Sequence, residues 1–324
     1  MRAVAYLCLL AIVWLTIVLL PGCGAKSPVS QPLKKVVVAV SQLASSTPLY
    51  LARARGYFQA EGLEVELQEH NSGRSSLLAM LDGKADYAAC AETPFMSARL
   101  NGAQVWIIAT LCTSSFNNCI LAPKNGPIQR VPDLRGKRVA VATGTSGEFM
   151  LDTALLYHHV KAGDVVRVNG PPDQLAALLE SGAADAVATW DPYAQRAIQA
   201  AGESLQRLPG VNQNTWHWCV TAREEAVKDV TTSAALLRAL KRAIDDINAD
   251  KNSVRDSGLR PDTTFSDERF QLALPQSLVL NLEIQAEWAR GRGYIKAPTL
   301  PNVLDWIDTS AMDVENRNSV SIIR

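Results

Sequence analysis

One pattern is written twice between Lys34 and Trp190, and it narrows the fold more than any other feature. The first passage reads as strand "KKVVVAVS", helix "TPLYLARARGYFQAEG", strand "LEVELQEH", helix "RSSLLAMLDG" and strand "ADYAACA". The second reads "KRVAVAT", "SGEFMLDTALLYHHVKAG", "DVVRVN", "PDQLAALLESG" and "ADAVATW" in the same order. Strands that alternate with helices need crossovers, and crossovers build mostly parallel sheets covered by helices. Gly83-Lys84-Ala85-Asp86 aligns with Gly182-Ala183-Ala184-Asp185, and Glu92 with Asp191. The expectation is two α/β lobes, residues 35–116 with 222–324 and residues 117–221. The chain would cross between them near "SSFNNCILAP" and return near "NTWHWCVTA", so two strands make the hinge. The mostly helical remainder, with "SAALLRALKRAIDDINAD" and "ERFQLALPQSLVLNLEIQAEWARG", would pack back on the first lobe. Strand ends and helix starts of both lobes then face a cleft, a ligand-binding arrangement.

The N-terminus sets the expected location. Arg2 precedes an apolar run from Ala3 to Leu20 that stops at Pro21-Gly22-Cys23, a signal-peptide layout near the lower length limit of a membrane span. Leu20-Pro21-Gly22-Cys23 resembles a bacterial lipobox, although Pro21 is unusual in it, and the resemblance implies cleavage after residue 22 and lipidation of Cys23. The other reading is a retained transmembrane anchor. Residues 23–34, rich in Gly, Ser, Pro and Gln, read as a tether with too little apolar content to pack.

Composition excludes several classes. Lys+Arg 32 balances Asp+Glu 32, and no basic stripe points to nucleic acid. The cysteines after Cys23 show no CxxC spacing, so zinc and thioredoxin chemistry are not expected. Cys112 and Cys119 flank "TSSFNN" and either close a local disulfide or stay as two buried thiols. The adjacent His158 and His159 point in different directions on a helix and cannot share a metal as i, i+4 histidines do. No cofactor or metal is expected.

The pieces "TPLYLARARGYFQAEGLEVEL", "LRGKRVAVATGTSGEFML" and "PPDQLAALLESGAADAVATWDPYAQRA" resemble the solute-binding proteins of ABC importers for nitrate, sulfonates, taurine and thiamine-pyrimidine precursors. The resemblance implies an α/β type II periplasmic-binding-protein fold, with two lobes on a two-strand hinge. It also implies a monomer that is not an enzyme, lipid-anchored outside the cytoplasm, delivering a small-molecule solute to ABC permease subunits. A small oxyanion of the alkanesulfonate, taurine or nitrate class is the leading solute, with a pyrimidine precursor as the alternative. An enzyme on the same fold, similar to the pyrimidine-precursor synthases, is a further alternative, but their CCCFC motif is missing from this chain. A lipoprotein that senses a solute for a receptor remains open.

Candidate contacts follow from the loops. "ATGTSGEF" places Thr143, Gly144, Thr145 and Ser146 between a strand and a helix, where glycine permits a tight turn and a helix start favours an anion. An ordinary capped turn is the other reading. Ser72 and Gly73 repeat the device, with Arg74 in the first turn, where a cation opposes the helix dipole. Arg74 therefore either pairs with an anionic solute or is solvated. Ser41, Gln42, Thr47, Thr113, Ser114 and Ser115 are neutral groups on cleft-facing loops. Trp190 either covers an organic tail or packs between the lobes. Glu92 and Asp191 could each bind a cationic or amide group, but both precede helix starts, so Glu92 reads first as a helix cap and Asp191 as a cap or a polar contact.

Overall fold

The computed structural model describes residues 32–211, 215–258, 267–295 and 299–323. The apolar leader, Cys23 and most of the tether lie outside the described residues. No helix among the described residues is long and apolar enough to cross a membrane.

The first passage folds as β1 (Lys34–Ser41), α1 (Thr47–Ala54), β2 (Leu63–His70), α2 (Gly73–Leu81), β3 (Tyr87–Ala91) and α3 (Glu92–Leu100). β1 and β2 pair in parallel over their whole length, from Lys34 opposite Leu63 to Ser41 opposite His70. β4 (Val105–Ser114) joins the same sheet, after which the chain leaves it and β5 (Asn118–Pro123) starts the next one. The second passage follows as β6 (Arg138–Val141), α4 (Ser146–Tyr157), β7 (Val166–Asn169), α5 (Leu175–Glu180), β8 (Ala186–Trp190) and α6 (Tyr193–Ala201). After β9 (Leu205–Arg207) the chain returns by β10 (Trp216–Arg223), and α7 (Val230–Ala249), β11 (Arg269–Ala273), α8 (Gln276–Gly291) and α9 (Ser310–Asn316) complete it.

The first sheet has the order β11-β4-β10-β3-β1-β2 and the second β7-β6-β8-β5-β9. Each contains a strand that has come across from the other lobe and runs against its neighbours. β10 pairs antiparallel with β3 and β4, and β5 antiparallel with β8 and β9. The C-terminal helices join the first core, where Leu236, Leu240, Ile244 and Ile247 of α7 and Leu278 and Leu282 of α8 are buried at helical spacing.

The internal repeat extends to individual bonds. Asp86 Oδ2 accepts the Val37 amide at 2.9 Å, and Asp185 Oδ2 accepts the Arg138 amide at 2.8 Å. The backbone of each aspartate returns the bond, Asp86 N–H to Val37 O at 2.9 Å and Asp185 N–H to Arg138 O at 2.7 Å. Both follow a glycine in the left-handed region, Gly83 at φ 77° and Gly182 at φ 71°, which turns the chain from helix into strand.

Of the two readings left open for Cys112 and Cys119, the structure has the separate buried thiols and not the disulfide. Cys112 lies in β4 of the first sheet and Cys119 in β5 of the second, because the segment between them crosses the lobes and does not form a hairpin. Burial pushes the Cys119 thiol up to about 12 and Cys112 well above its ordinary value. Glu92 is not a helix cap: its carboxylate turns away from α3 to accept the His217 amide at 2.8 Å and Gln285 Nε2 at 3.0 Å.

Candidate solute-binding cleft

Two helix starts face each other across the cleft, each resting on an indole. At α2, Ser72 is extended and its hydroxyl accepts the Ser75 amide at 3.2 Å, while Ser75 Oγ accepts the Ser72 amide at 3.0 Å. This reciprocal box leaves the Gly73 and Arg74 amides without a partner among the described residues. A Cβ on Gly73 would stand 2.6 Å from Trp218 Cζ/Cη atoms at the nearest, so only glycine lets the helix start lie against that ring. At α4, a Cβ on Gly147 would stand 3.3 Å from the Trp190 ring, and the Ser146 and Gly147 amides are likewise unpartnered among the described residues. The free N–H groups and dipoles of both helices favour negative charge between them.

Arg74 adds a full charge. It is exposed, carries no ion pair among the described residues, and reaches toward the opposite lobe, where a Cβ on Gly144 would lie 3.7 Å from its Nε. Ser72, Gly73, Arg74, Asn117, Thr145 and Ser146 form the polar side of a pocket, and Leu43, Pro94, Trp190, Trp216 and Trp218 form much of its apolar side. Trp216 and Trp218 share one face of β10 because side chains alternate along a strand. Their rings meet edge to face at 6.0 Å, and each Nε1–H is buried with no partner among the described residues. A second pocket, lined by Glu92, Thr93, Ser115, Asn118 and Gln285 among others, shares Ser146 and Trp216 with the first.

Gly73, Arg74, Thr145, Ser146 and Trp190 thus gather in one pocket, and Ser115 lines its neighbour. Thr143 and Gly144 line a wider outer groove with Arg74 and Tyr294. Their amides are already engaged: Thr143 N–H donates to Asn169 Oδ1 at 3.0 Å and Gly144 N–H to Glu148 Oε2 at 2.8 Å. The remaining candidates are held elsewhere. Gln42 donates to Glu69 at 2.8 Å, Thr47 to Ala44 O at 2.5 Å, and Ser114 to Asp267. Ser41 is buried at the end of β1, and Thr113 sits in β4 opposite His217 and Arg269. Asp191 accepts Arg207 Nη2 at 2.6 Å and the Gln195 amide at 3.2 Å, and burial raises its carboxyl against the pull of Arg207. It holds the first turn of α6 through the Gln195 amide and pairs with Arg207 of β9.

Sequence reasoning did not single out Trp216, Trp218, Asn117, Asn118, Thr93 or Gln285. The alternation in "TWHWC" was the signal for the two indoles, and it was read only as a crossover strand. Thr93 and Gln285 come together through the fold alone.

Residues 44–252 match the family described as NMT1/THI5 like. A putative aliphatic sulfonates-binding protein of Bacillus subtilis is 32% identical over 183 residues, 55% of this chain and 54% of its own length. A 4-amino-5-hydroxymethyl-2-methylpyrimidine phosphate synthase of Aspergillus parasiticus is 29% identical over 121 residues, 37% of this chain and 35% of its own. The match thus spans about half the length of the first of these relatives and about a third of the second. Among solved structures, the alkanesulfonate-binding protein of Xanthomonas axonopodis pv. citri bound to MOPS superposes with a TM-score of 0.72 at 17% identity, covering 86% of this chain and 99% of that one. The fold is that of the periplasmic binding proteins.

Proposed function

The chain belongs to the NMT1/THI5-like family, and from that premise we propose that it is an extracytoplasmic solute-binding lipoprotein that captures a small anion for an ABC importer. The observation that carries this reading is the convergence of two helix N-termini and the unpaired Arg74 beneath Trp190, Trp216 and Trp218. Such a site offers hydrogen-bond donors and positive potential to an oxyanion and apolar rings to an organic tail. The names of the sulfonate-binding relatives support the same class. Alkanesulfonates and taurine fit better than nitrate, which has no tail for the indoles to cover. The lipobox at Leu20-Pro21-Gly22-Cys23 supports mooring by a lipid on Cys23, as a monomer that hands its solute to a permease.

On this reading the solute is captured and released unchanged. The pyrimidine phosphate synthase among the relatives favours a second reading, a pyrimidine-precursor ligand. A thermal-shift panel of sulfonates, taurine, nitrate and a neutral pyrimidine separates the two. Stabilisation by the anions, with the solute recovered intact by mass spectrometry, is the expected result. A shift with the pyrimidine alone would overturn the anion assignment. Cys23→Ala should abolish lipidation and release the chain from membranes, and a mature N-terminus elsewhere would refute the anchor.

A further inference from the structure

We propose that the cleft continues past Trp216 into a second subsite that takes a cationic amine, so that the solute is a short zwitterion and not a simple anion. This inference rests on the anion-binding reading above and concerns the far end of the same solute.

Glu92 lines the second pocket and is fully buried. Among the described residues its carboxylate meets only the His217 amide at 2.8 Å, Gln285 Nε2 at 3.0 Å and, more distantly, the His217 ring, with Nδ1 3.9 Å away. At that distance the ring makes no hydrogen bond to the carboxylate. Asn281 Nδ2 donates to Thr215 O, which fixes its amide orientation, and the same nitrogen lies 3.3 Å from His217 Nδ1. Nδ1 therefore faces a donor on Asn281, and Nε2 faces Ser277 Oγ at 3.0 Å, so both ring nitrogens are directed at neutral groups. A buried carboxylate without a cation is costly unless a partner arrives.

The groups around Glu92 show what kind of partner. Gln285 spends its amide nitrogen on Glu92, so its Oε1 is left as a buried acceptor with no partner among the described residues. Thr93 Oγ1 is also buried and has no partner among the described residues, and both residues are only 1% exposed. Two free oxygens beside one uncompensated negative charge match an ammonium, which brings donors and a positive charge together. Ser146 and Trp216 line both pockets, so the anion seat and the amine seat are one side chain apart. That spacing calls for a short alkyl linker, passing along the Trp216 ring.

The test is calorimetric titration of the full chain with taurine and with propanesulfonate, which has the same number of heavy atoms but ends in a methyl group. Taurine should bind at least about tenfold more tightly, the range of a charged hydrogen-bonded contact. Glu92→Gln keeps the shape without the charge and should bring the ratio of the two affinities to about one. Thr93→Val, which removes one acceptor at constant volume, should lower the ratio even where Glu92→Gln fails to fold. Equal or tighter binding of propanesulfonate by the wild-type chain, or a ratio that survives these variants, would overturn the amine subsite and leave the anion seat standing. Binding of neither sulfonate would remove the anion seat and this inference with it.

Discussion

The Tyr294 hydroxyl donates to the Glu148 carboxylate at 2.5 Å, tying the end of α8 in the first lobe to the first turn of α4 in the second. Trp288 Nε1 donates to Asp152 Oδ2 at 2.8 Å, and Arg292 Nε lies 3.2 Å from the same oxygen. Phe149 and Trp288 meet edge to face at 5.3 Å beside them. These bonds form a clasp across the hinge, and Glu148 links it to the cleft because its other oxygen holds the Gly144 amide. Tyr294→Phe should therefore weaken the closed form by about 0.5–1.5 kcal/mol, the usual net worth of one hydrogen bond. Small-angle scattering of the solute-free chain should show expansion relative to wild type, with a matching loss of solute affinity. Identical profiles and affinities would show that the clasp does not hold the lobes.

Gly73 is where the backbone and Trp218 come too close for any side chain. Gly73→Ala would set a methyl 2.6 Å from the ring and 2.9 Å from Cys90 Cα, and the latter is backbone that cannot swing aside. Overpacking of this kind costs about 1–3 kcal/mol. Denaturant unfolding should show that loss. Solute binding should also fall, because the displaced indole forms one wall of the pocket. Gly163→Ala, with nothing within 4 Å of its Cβ, serves as the control.

What could be read in advance was the part written locally. Alternating βα runs announced both sheets, and Gly83-Asp86 and Gly182-Asp185 announced the repeat, because each aspartate bonds to the strand beside its own. The helix start at Ser146 was also legible, but its energetics were not. Thr145 and Glu148 have the spacing of a capping box, yet Thr145 Oγ1 donates to Ala142 O at 2.7 Å while Glu148 reaches the Gly144 amide. The Gly144 amide itself is thus occupied, and the free amides among the described residues lie beyond it at Ser146 and Gly147. Glu92 was misjudged for a different reason. Its partners His217 and Gln285 are far along the chain, and no local pattern reports a bond made only when α3, β10 and α8 are assembled. Between the disulfide and the two thiols at Cys112 and Cys119 the sequence could not decide, because nearness along the chain is a poor guide where the chain changes lobes.

Asp185 offers a test of the repeat by acidity. The Arg138 side chain, bonded through Nη2 at 2.7 Å, holds its carboxyl below the ordinary value of 3.8, and the Arg138 amide adds to this. A carboxylate with a lowered folded pKa stabilises the fold above its unfolded value, and that contribution is lost as pH falls through the folded pKa. Asp185→Asn should lower the melting temperature at neutral pH. The gap from wild type should narrow steadily below about pH 4. A gap of constant size across that range would mean that the shape of the side chain, and not its charge, stabilises the strand.

Arg74 and Trp190 should separate the two ends of an anionic solute. Arg74 has no carboxylate partner among the described residues, so removing it leaves no orphaned charge in the protein and changes chiefly what the solute feels. Arg74→Ala should weaken an alkanesulfonate by roughly 1.5–3 kcal/mol, the range for hydrogen bonds to charged groups, and a neutral analogue of the same shape by much less. Raising the salt concentration should reduce the wild-type advantage and leave the variant nearly unaffected, since an exposed guanidinium is screened. Trp190→Ala should act on the other variable, penalising long alkyl tails more than short ones because it removes apolar contact. Saturating solute should stabilise the wild-type chain by about 2.7 kcal/mol at a hundredfold excess over Kd, which a melting curve resolves. Should Arg74→Ala weaken charged and neutral analogues alike, Arg74 would be shaping the cleft without meeting the anion, and the helix starts at Gly73 and Ser146 would carry the charge alone.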